Sequence, residues 1–596
     1  MKVTVFNTKR YQRGILEVAG KVKGLEFSFL EPRPDAHTPI LSAGHDADIP
    51  ECHRDGASGR SFAVMKRWLF LSVVGCLLSL ASCSPRHERA DLVFVNGAEP
   101  ETLDPALITG QPEGRVVNAL FEGLLRFDRH GRSTPGVAAS WEISPDHLTY
   151  TFHLRPDARW SDGKAVTAHD FVESWHRTLA PATASAYSYQ LFAVKGAEEF
   201  AAGKEKDFSK VGVKAPDSLM LKVTLARPTP YFLDLCAFPT LYPVRADLIA
   251  RYGDDWVKPG RLVGNGAFVL EEWRINDAIR LKKNPLYWDA AQVRLGSVEV
   301  LPISKANVAY NFYAAGQADL IMDKGLAPPS LLDALKPRPD FHAAPFLGSY
   351  FLRFNCAKGP FTDLRVRKAF SMAIDRKRIT DKITRAGEST ALSFVPPGIP
   401  GYTAPSGLSE NPTTAAQLLA EAGYPGGKGF PLTTYLYSEG ELNEGVAIEL
   451  QSMWKEALGV SIQLARQEWK VYLNSLGSLD FGIARSSWVG DYPDPNTFLD
   501  LFLSESGNNR TGWKNPGYDA LIHQAAAETD PKVRFSILRK AEEYLIREGV
   551  PIAPLFFYVG IQLYDPECLG GIEANVLDEH PLREIFRKDG IPTPKS

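Results

Sequence analysis

The sequence predicts a large mixed α/β protein of several lobes, and three observations lead there. The chain has 596 residues, 44% of them hydrophobic and 23% charged, enough to bury sizeable cores in more than one compact region. Period-two apolar runs alternate along it with segments of helical period. After the first 80 or so residues there is no short repeat, low-complexity linker or membrane-length apolar run.

In chain order, the first element is an address. Met65-Lys66-Arg67 precedes Trp68 to Leu80, an uncharged Leu- and Val-rich run. That is the length of a signal-peptide core and short of the roughly 20 residues that span a bilayer. The run ends in Leu80-Ala81-Ser82-Cys83, which resembles the lipobox of bacterial lipoproteins. The resemblance implies cleavage before Cys83 and lipidation of its thiol, a suitable nucleophile. Residues 1–64 then stand upstream of a complete signal (65–82), and the expectation is translation from Met65.

Leu148, Tyr150, Phe152 and Leu154 alternate with polar residues, as do Leu219, Leu221, Val223 and Leu225, which predicts two half-buried strands. Val366, Ala369, Phe370, Ala373 and Ile374 mark an amphipathic helix capped by Thr362 or Asp363. Thr413 and Thr414 precede a helix ending near Gly423. Val446, Leu450, Met453, Trp454 and Leu458 mark another that stops at Gly459 and feeds a strand through Val460, Ile462 and Leu464. Asp530-Pro531 has the cap-then-proline order for a helix carrying Val533, Ile537, Ala541 and Leu545.

A net charge of -3, without long runs of one sign, supplies no basic footprint for nucleic acid. The six cysteines include no CxxC pair and no zinc spacing with histidine, so neither metal nor cofactor is expected. Downstream of the lipobox, Cys236, Cys356 and Cys568 are the candidates for a disulfide, and an odd number leaves one unpaired. There is no GxSxG elbow, HExxH helix, GxxxxGK[ST] loop or strand-flanked GxGxxG, so a catalyst is the weaker class.

Residues 141–175, WEISPDHLTYTFHLRPDARWSDGKAVTAHDFVESW, resemble the signature of the peptide and nickel family of bacterial extracellular solute-binding proteins, closest to its periplasmic oligopeptide binders. The likeness continues through TLDPALITGQPEGRVVNALFEGLL (102–125), GNGAFVLEEW (264–273), FNCAKGPFTDLRVRKAFSMAIDR (354–376) and ARSSWVGDYPDPNTFLDLFLSESGNN (484–509). The resemblance implies a periplasmic-binding-protein-like clamp: lobe I from 83–121, 247–347 and 559–596, an extra domain from 122–246, and a facing lobe from 348–558. It implies short peptides as ligand, an ABC permease with its ATPase as partners, and a monomer anchored at the periplasmic or cell surface. Murein peptides, a nickel chelate or haem are the alternative cargoes within this family, a peptide-sensing receptor is an alternative role, and a secreted peptide hydrolase is the alternative from another class.

The same resemblance assigns the site. Ser487, Trp488 and Val489 become the strand edge that pairs with a peptide main chain, and Asp491 the partner of its α-amino group, a charge-assisted contact. Arg485 takes the carboxylate of a short peptide, since six extended residues reach at most about 20 Å. Thr109, Gly110 and Gln111 form a second pairing segment, and Tyr187, Trp469 and Asn508 line pockets. Phe346 and Phe557 stand where tyrosines are expected, and Arg510 where a small polar residue is, implying a cleft with fewer hydroxyls and more positive charge. Gly348 and Val489 replace a cysteine pair of the oligopeptide binders.

Overall fold

The computed structural model describes residues 88–588 and, upstream, two strands, Lys2–Phe6 and Glu26–Leu30, paired in parallel. The signal stretch, the lipobox and Cys83 lie outside the described residues. Residues 1–87 and 88–596 form separate compact units, and the second carries everything that follows.

Ten strands of the second unit join in one sheet: β1 (Leu92–Val95), β2 (Phe268–Arg274), β3 (Ala278–Lys283), β4 (Ser297–Leu301), β5 (Leu320–Ile321), β6 (Phe341–Phe354), β7 (Thr434–Ser438), β8 (Gln463–Gln467), β9 (Ile483–Val489) and β10 (Ile552–Tyr564). Their order across the sheet is β2-β3-β4-β1-β5-β10-β6-β9-β7-β8. The parallel pairs flanking β1 and those joining β9, β7 and β8 need long crossovers, which the intervening helices supply. Every residue of β10 is buried, as expected of an apolar strand covered on both faces.

β6 and β10 are the long strands common to both halves of this sheet. Phe341 to Pro345 pair with Leu563 to Val559, and Ser349 to Arg353 with Phe557 to Ile552, with register lost between. Pro345 has no N–H to donate, so the ladder weakens where the break begins. Inside the break the Leu347 N–H donates to the Val576 carbonyl, and the Leu347 carbonyl accepts from the Gly490 N–H, each at 2.7 Å. The interruption is thereby tied to the turn that carries Asp491.

A separate antiparallel sheet of four strands, Ala138–Ile143, Thr149–Leu154, Met220–Thr224 and Val213–Asp217, packs under the helix Ala168–Leu179. Tyr150, Phe152 and Leu154 point inward as their alternation predicts, while Leu219 and Leu225 flank their strand. The helix Glu441–Leu458 buries Val446, Leu450, Met453, Trp454 and Leu458, and ends on Gly459 at φ 70°, the left-handed conformation glycine favours.

Asp363, rather than Thr362, caps Leu364–Met372 by accepting from the Arg365 N–H, and Ala373 and Ile374 fall beyond that helix. The helix Pro412–Glu421 begins earlier than the two threonines suggest: Asn411 accepts from the Thr414 N–H at 2.9 Å and Pro412 opens the first turn. Val460 and Ile462 are buried but precede β8, so the apolar alternation there starts before the ladder does. Asp530 caps Pro531–Glu543, and Leu545 lies in the wider turn Tyr544–Gly549 that follows. Cys236, Cys356 and Cys568 are all free thiols, so no disulfide forms among them.

Candidate functional site

A cavity of about 350 Å³ gathers residues from distant stretches of chain: Thr109, Gly110 and Gln111; Tyr187; Phe238; Lys324; Phe346; Ser487 to Asp491; and Leu577 to Glu579. Its size is that of sites enclosing small ligands. Gly110 and Gln111 enter at the start of the helix Gln111–Leu120. Tyr187 is fixed between the rings of Tyr189 and Phe238, at 5.6 and 5.7 Å.

The opposite wall is β9. One of its edges pairs with β6 along its whole length, from Ile483 opposite Phe354 to Val489 opposite Gly348. On the other edge β7 pairs only with Ile483 and Ala484. Past Ala484 no strand among the described residues pairs with that edge, where the Arg485 carbonyl accepts from the Tyr472 hydroxyl, and Ser487, Trp488 and Val489 line the cavity there. An unpaired strand edge facing a cavity is a template for an added extended chain. Ser486 points away, its hydroxyl accepting from the Arg353 Nε at 3.0 Å, and Val489 is exposed. The indole Nε1 of Trp488 is buried with no hydrogen-bond partner among the described residues.

Asp491 closes this strand. Its Oδ2 accepts from the Gln190 Nε2 at 2.8 Å and from the Tyr189 hydroxyl at 3.5 Å, and it forms no ion pair among the described residues. Burial pushes its carboxyl up to about 7 even though the Gln190 and Tyr189 hydrogen bonds favour the anion. The turn behind it is clamped: Arg534 grips Asp494 through two parallel contacts of 2.6 and 2.9 Å, and Tyr231 stacks on Tyr492 at 4.4 Å. The site therefore presents a carboxylate, rigidly held and uncompensated, at the end of an unpaired strand edge.

A second cavity, about 640 Å³, shares Trp488 and Asp491 with the first and includes Asp500 and Asn508. Burial, reinforced by the charge of Asp491, raises the Asp500 carboxyl to about 7. A carboxyl whose folded pKa is raised stabilises the fold fully below the unfolded value, near 4, and loses that contribution as pH rises to about 7. Asp500→Asn keeps an acceptor for the Asn496 Nδ2, now at 3.0 Å. Relative to wild type it is expected to be more stable at pH 8 than at pH 5 by roughly 1–3 kcal/mol. Urea unfolding at the two pH values checks this; an identical difference at both would refute it.

Of the residues assigned from sequence, Thr109, Gly110, Gln111, Tyr187, Ser487, Trp488, Val489 and Asp491 line the first cavity, and Asn508 the second. Trp469 lines neither: it is 52% exposed and lies against Tyr472 at 5.5 Å. Arg485 sits behind the wall, its Nη2 donating to the Tyr558 hydroxyl at 3.3 Å and its guanidinium lying 5.0 Å from the Tyr350 ring. Arg510 is in neither wall; the positive charge in the first cavity comes from Lys324, and in the second from Arg227. Phe346 does line the cavity, whereas Phe557 is buried in the sheet beside Ser349. A Cβ on Gly348 would meet the Phe346 and Tyr558 rings at 2.9 Å, so a cysteine there would require both rings to shift. Sequence reasoning missed Gln190, Tyr189, Phe238, Lys324, Asp578 and Glu579, and no local motif marks any of them. Among the described residues no group of histidine, cysteine or carboxylate side chains could hold a metal ion, and no helix is long and apolar enough to cross a membrane.

The sequence model for the bacterial extracellular solute-binding proteins, family 5 Middle, matches residues 133–510. The chain is 39% identical over 510 residues to the periplasmic oligopeptide-binding protein OppA of Escherichia coli (strain K12), covering 84% of this chain and 93% of that one. Among solved structures it is similar to the Escherichia coli murein tripeptide binding protein MppA, with a TM-score of 0.74, 38% identity and coverage of 84% and 99%. It is also similar to Haemophilus influenzae OppA in complex with RPPGFSPFR, with a TM-score of 0.73, 36% identity and coverage of 84% and 99%. These relatives are binding proteins rather than enzymes. The chain belongs to the bacterial extracellular solute-binding proteins of family 5, and its mixed α/β body is the multi-domain clamp of that family's peptide-binding members.

Proposed function

We propose that this chain is the substrate-binding component of a peptide ABC importer, capturing short oligopeptides without chemically altering them. The observation that carries this reading is the unpaired edge of β9 running into Asp491, a carboxylate with no cationic partner among the described residues. A peptide lying along Ser487 to Val489 adds a strand through its main chain, which every sequence shares. Its α-ammonium meets Asp491, and Arg485, six residues back and behind the wall, acts on the carboxylate end only through its charge. Lobe I (83–121, 247–347, 559–596), the extra domain (122–246) and the facing lobe (348–558) close about the register break between Pro345 and Ser349. The closed form, a monomer anchored through Cys83 at the periplasmic or cell surface, is what the permease and its ATPase receive.

Calorimetry with a tripeptide and its N-acetylated counterpart tests the reading. Acetylation removes the ammonium and is expected to weaken binding about 100-fold or more, the scale of a lost desolvated ion pair. Because Asp491 carries a proton part of the time near neutrality, binding of the free peptide at pH 6.5 is expected to release protons, and at pH 8 hardly any. Buffers of different ionisation enthalpy report that release. Equal affinity for the acetylated peptide would remove Asp491 from the ligand site.

A further inference from the structure

Lys324 follows β5 in the turn Lys324–Leu326 and forms part of the cavity wall beside Phe346. Its ammonium lies 3.1 Å from the centroid of the Tyr558 ring and 5.0 Å from that of Phe346, two rings that stack on each other at 6.1 Å. The hydroxyl of the same Tyr558 accepts from Arg485. Two cations thus converge on one tyrosine, one at its face and one at its hydroxyl, and neither forms an ion pair among the described residues. The Arg485 Nε is buried with no hydrogen-bond partner among the described residues.

The carboxylates near Lys324 are engaged elsewhere. Asp323 pairs with Arg115 at 3.4 Å, Asp578 lies 3.1 Å from the His580 Nε2 and accepts from the Gln562 Nε2 at 2.7 Å, and Glu388 accepts from the Ala386 N–H at 2.9 Å. Burial pushes the carboxyl of Glu579, also in the wall, above its ordinary value in spite of the charges of Arg115 and Arg583. Burial drives the Lys324 ammonium down to about 7 in spite of the Asp323, Asp578 and Glu388 charges, while Arg485 adds to the depression. A ring face attracts a cation but does not neutralise it. A half-buried ammonium that forms no ion pair among the described residues is costly until an anion arrives.

We propose that Lys324 is an anion-recognising residue of the cleft, acting beside Arg485, so that the preferred peptides carry an acidic side chain near their carboxyl end as well as the terminal carboxylate. Lys324 then meets the acidic side chain, while Arg485, behind the wall, adds positive charge at the same end of the cleft, and the cavity selects on charge where main-chain pairing cannot. This rests on the peptide reading above and sharpens its substrate class.

Calorimetry of two nearly isosteric tripeptides, Ala-Ala-Glu and Ala-Ala-Gln, decides it. The wild-type protein is expected to bind the glutamate peptide about tenfold more tightly or better, the scale of one charge-assisted contact. Lys324→Met is expected to bind the two within about twofold of each other, and Lys324→Arg to retain the preference. Equal affinity of the wild type for both peptides overturns the proposal and leaves peptide binding intact, with no variant needed. A preference that survives in Lys324→Met also overturns it. Failure of the wild type to bind either peptide overturns the peptide reading itself, and this one with it.

Discussion

Asp491→Ala is expected to lower the affinity for a short peptide with a free amino terminus by two orders of magnitude or more, about 2–5 kcal/mol. The loss has two sources: the ion pair disappears, and the ammonium must still leave water to lie along β9. Asp491→Asn separates them, because the amide keeps the shape of the side chain and an oxygen for Gln190, now at 2.8 Å, but carries no charge. It should lose most of the affinity. The unliganded protein should respond with the opposite sign. With its folded pKa raised to about 7, the Asp491 carboxyl stabilises the fold below the unfolded value near 4 and has lost that contribution above about 7. Both variants should therefore gain stability relative to wild type between pH 5 and pH 8. Calorimetry and chemical unfolding on the same preparations measure the two effects. Unchanged peptide affinity in Asp491→Ala would sink the assignment.

Arg534→Met should have the largest effect on stability, about 3–5 kcal/mol, because it strands the Asp494 carboxylate in a buried turn. Asp494 also accepts from the Asn496 N–H at 2.9 Å, so the bond network holding residues 491–496 loosens as a unit. Peptide affinity falls with it, since Asp491 is no longer held at the end of its strand. The double variant Arg534→Met, Asp494→Leu should recover most of the lost stability, because an apolar pair of similar volume leaves no buried charge. It should not restore the binding lost with the turn. Urea midpoints of the single and double variants give the answer, and a cost below about 1 kcal/mol for Arg534→Met would show that water reaches Asp494.

The elements legible in the sequence are those whose determinants are local. Tyr150, Phe152 and Leu154 alternate on a strand solvated on one side, Gly459 stops a helix because it alone adopts φ 70° without strain, and Asp530-Pro531 is a cap followed by its first turn. Asn411-Pro412 carries the same signal, but the threonine pair beside it competes for the cap. Val460 and Ile462 misled because burial under a helix and burial in a ladder leave the same mark on a sequence. For the site, Asp491 and the strand before it were reached through family resemblance over a contiguous stretch. Gln190, which hydrogen-bonds Asp491 across 301 residues of sequence, and Lys324, which reaches Tyr558 from another turn, have no local pattern to betray them. Arg485 and Trp469 show the converse: their place in the sequence drew attention, yet one packs behind the wall and the other faces solvent.

The strand order has a consequence for how such a chain is made. β1, close to the amino end of the second unit, has as its neighbours β4 and β5, which begin at Ser297 and Leu320. β5 in turn is joined to the other half of the sheet only through β10, at residues 552–564. As the polypeptide emerges amino end first, the small sheet of residues 138–224 can form from neighbouring segments, but β1 has nothing to pair with for some two hundred residues. The large sheet is completed only when nearly all of the chain is present. Closing such distant contacts is slow. Until synthesis is almost finished, the segments that will hold the peptide remain apart and open to unfoldases and chaperones.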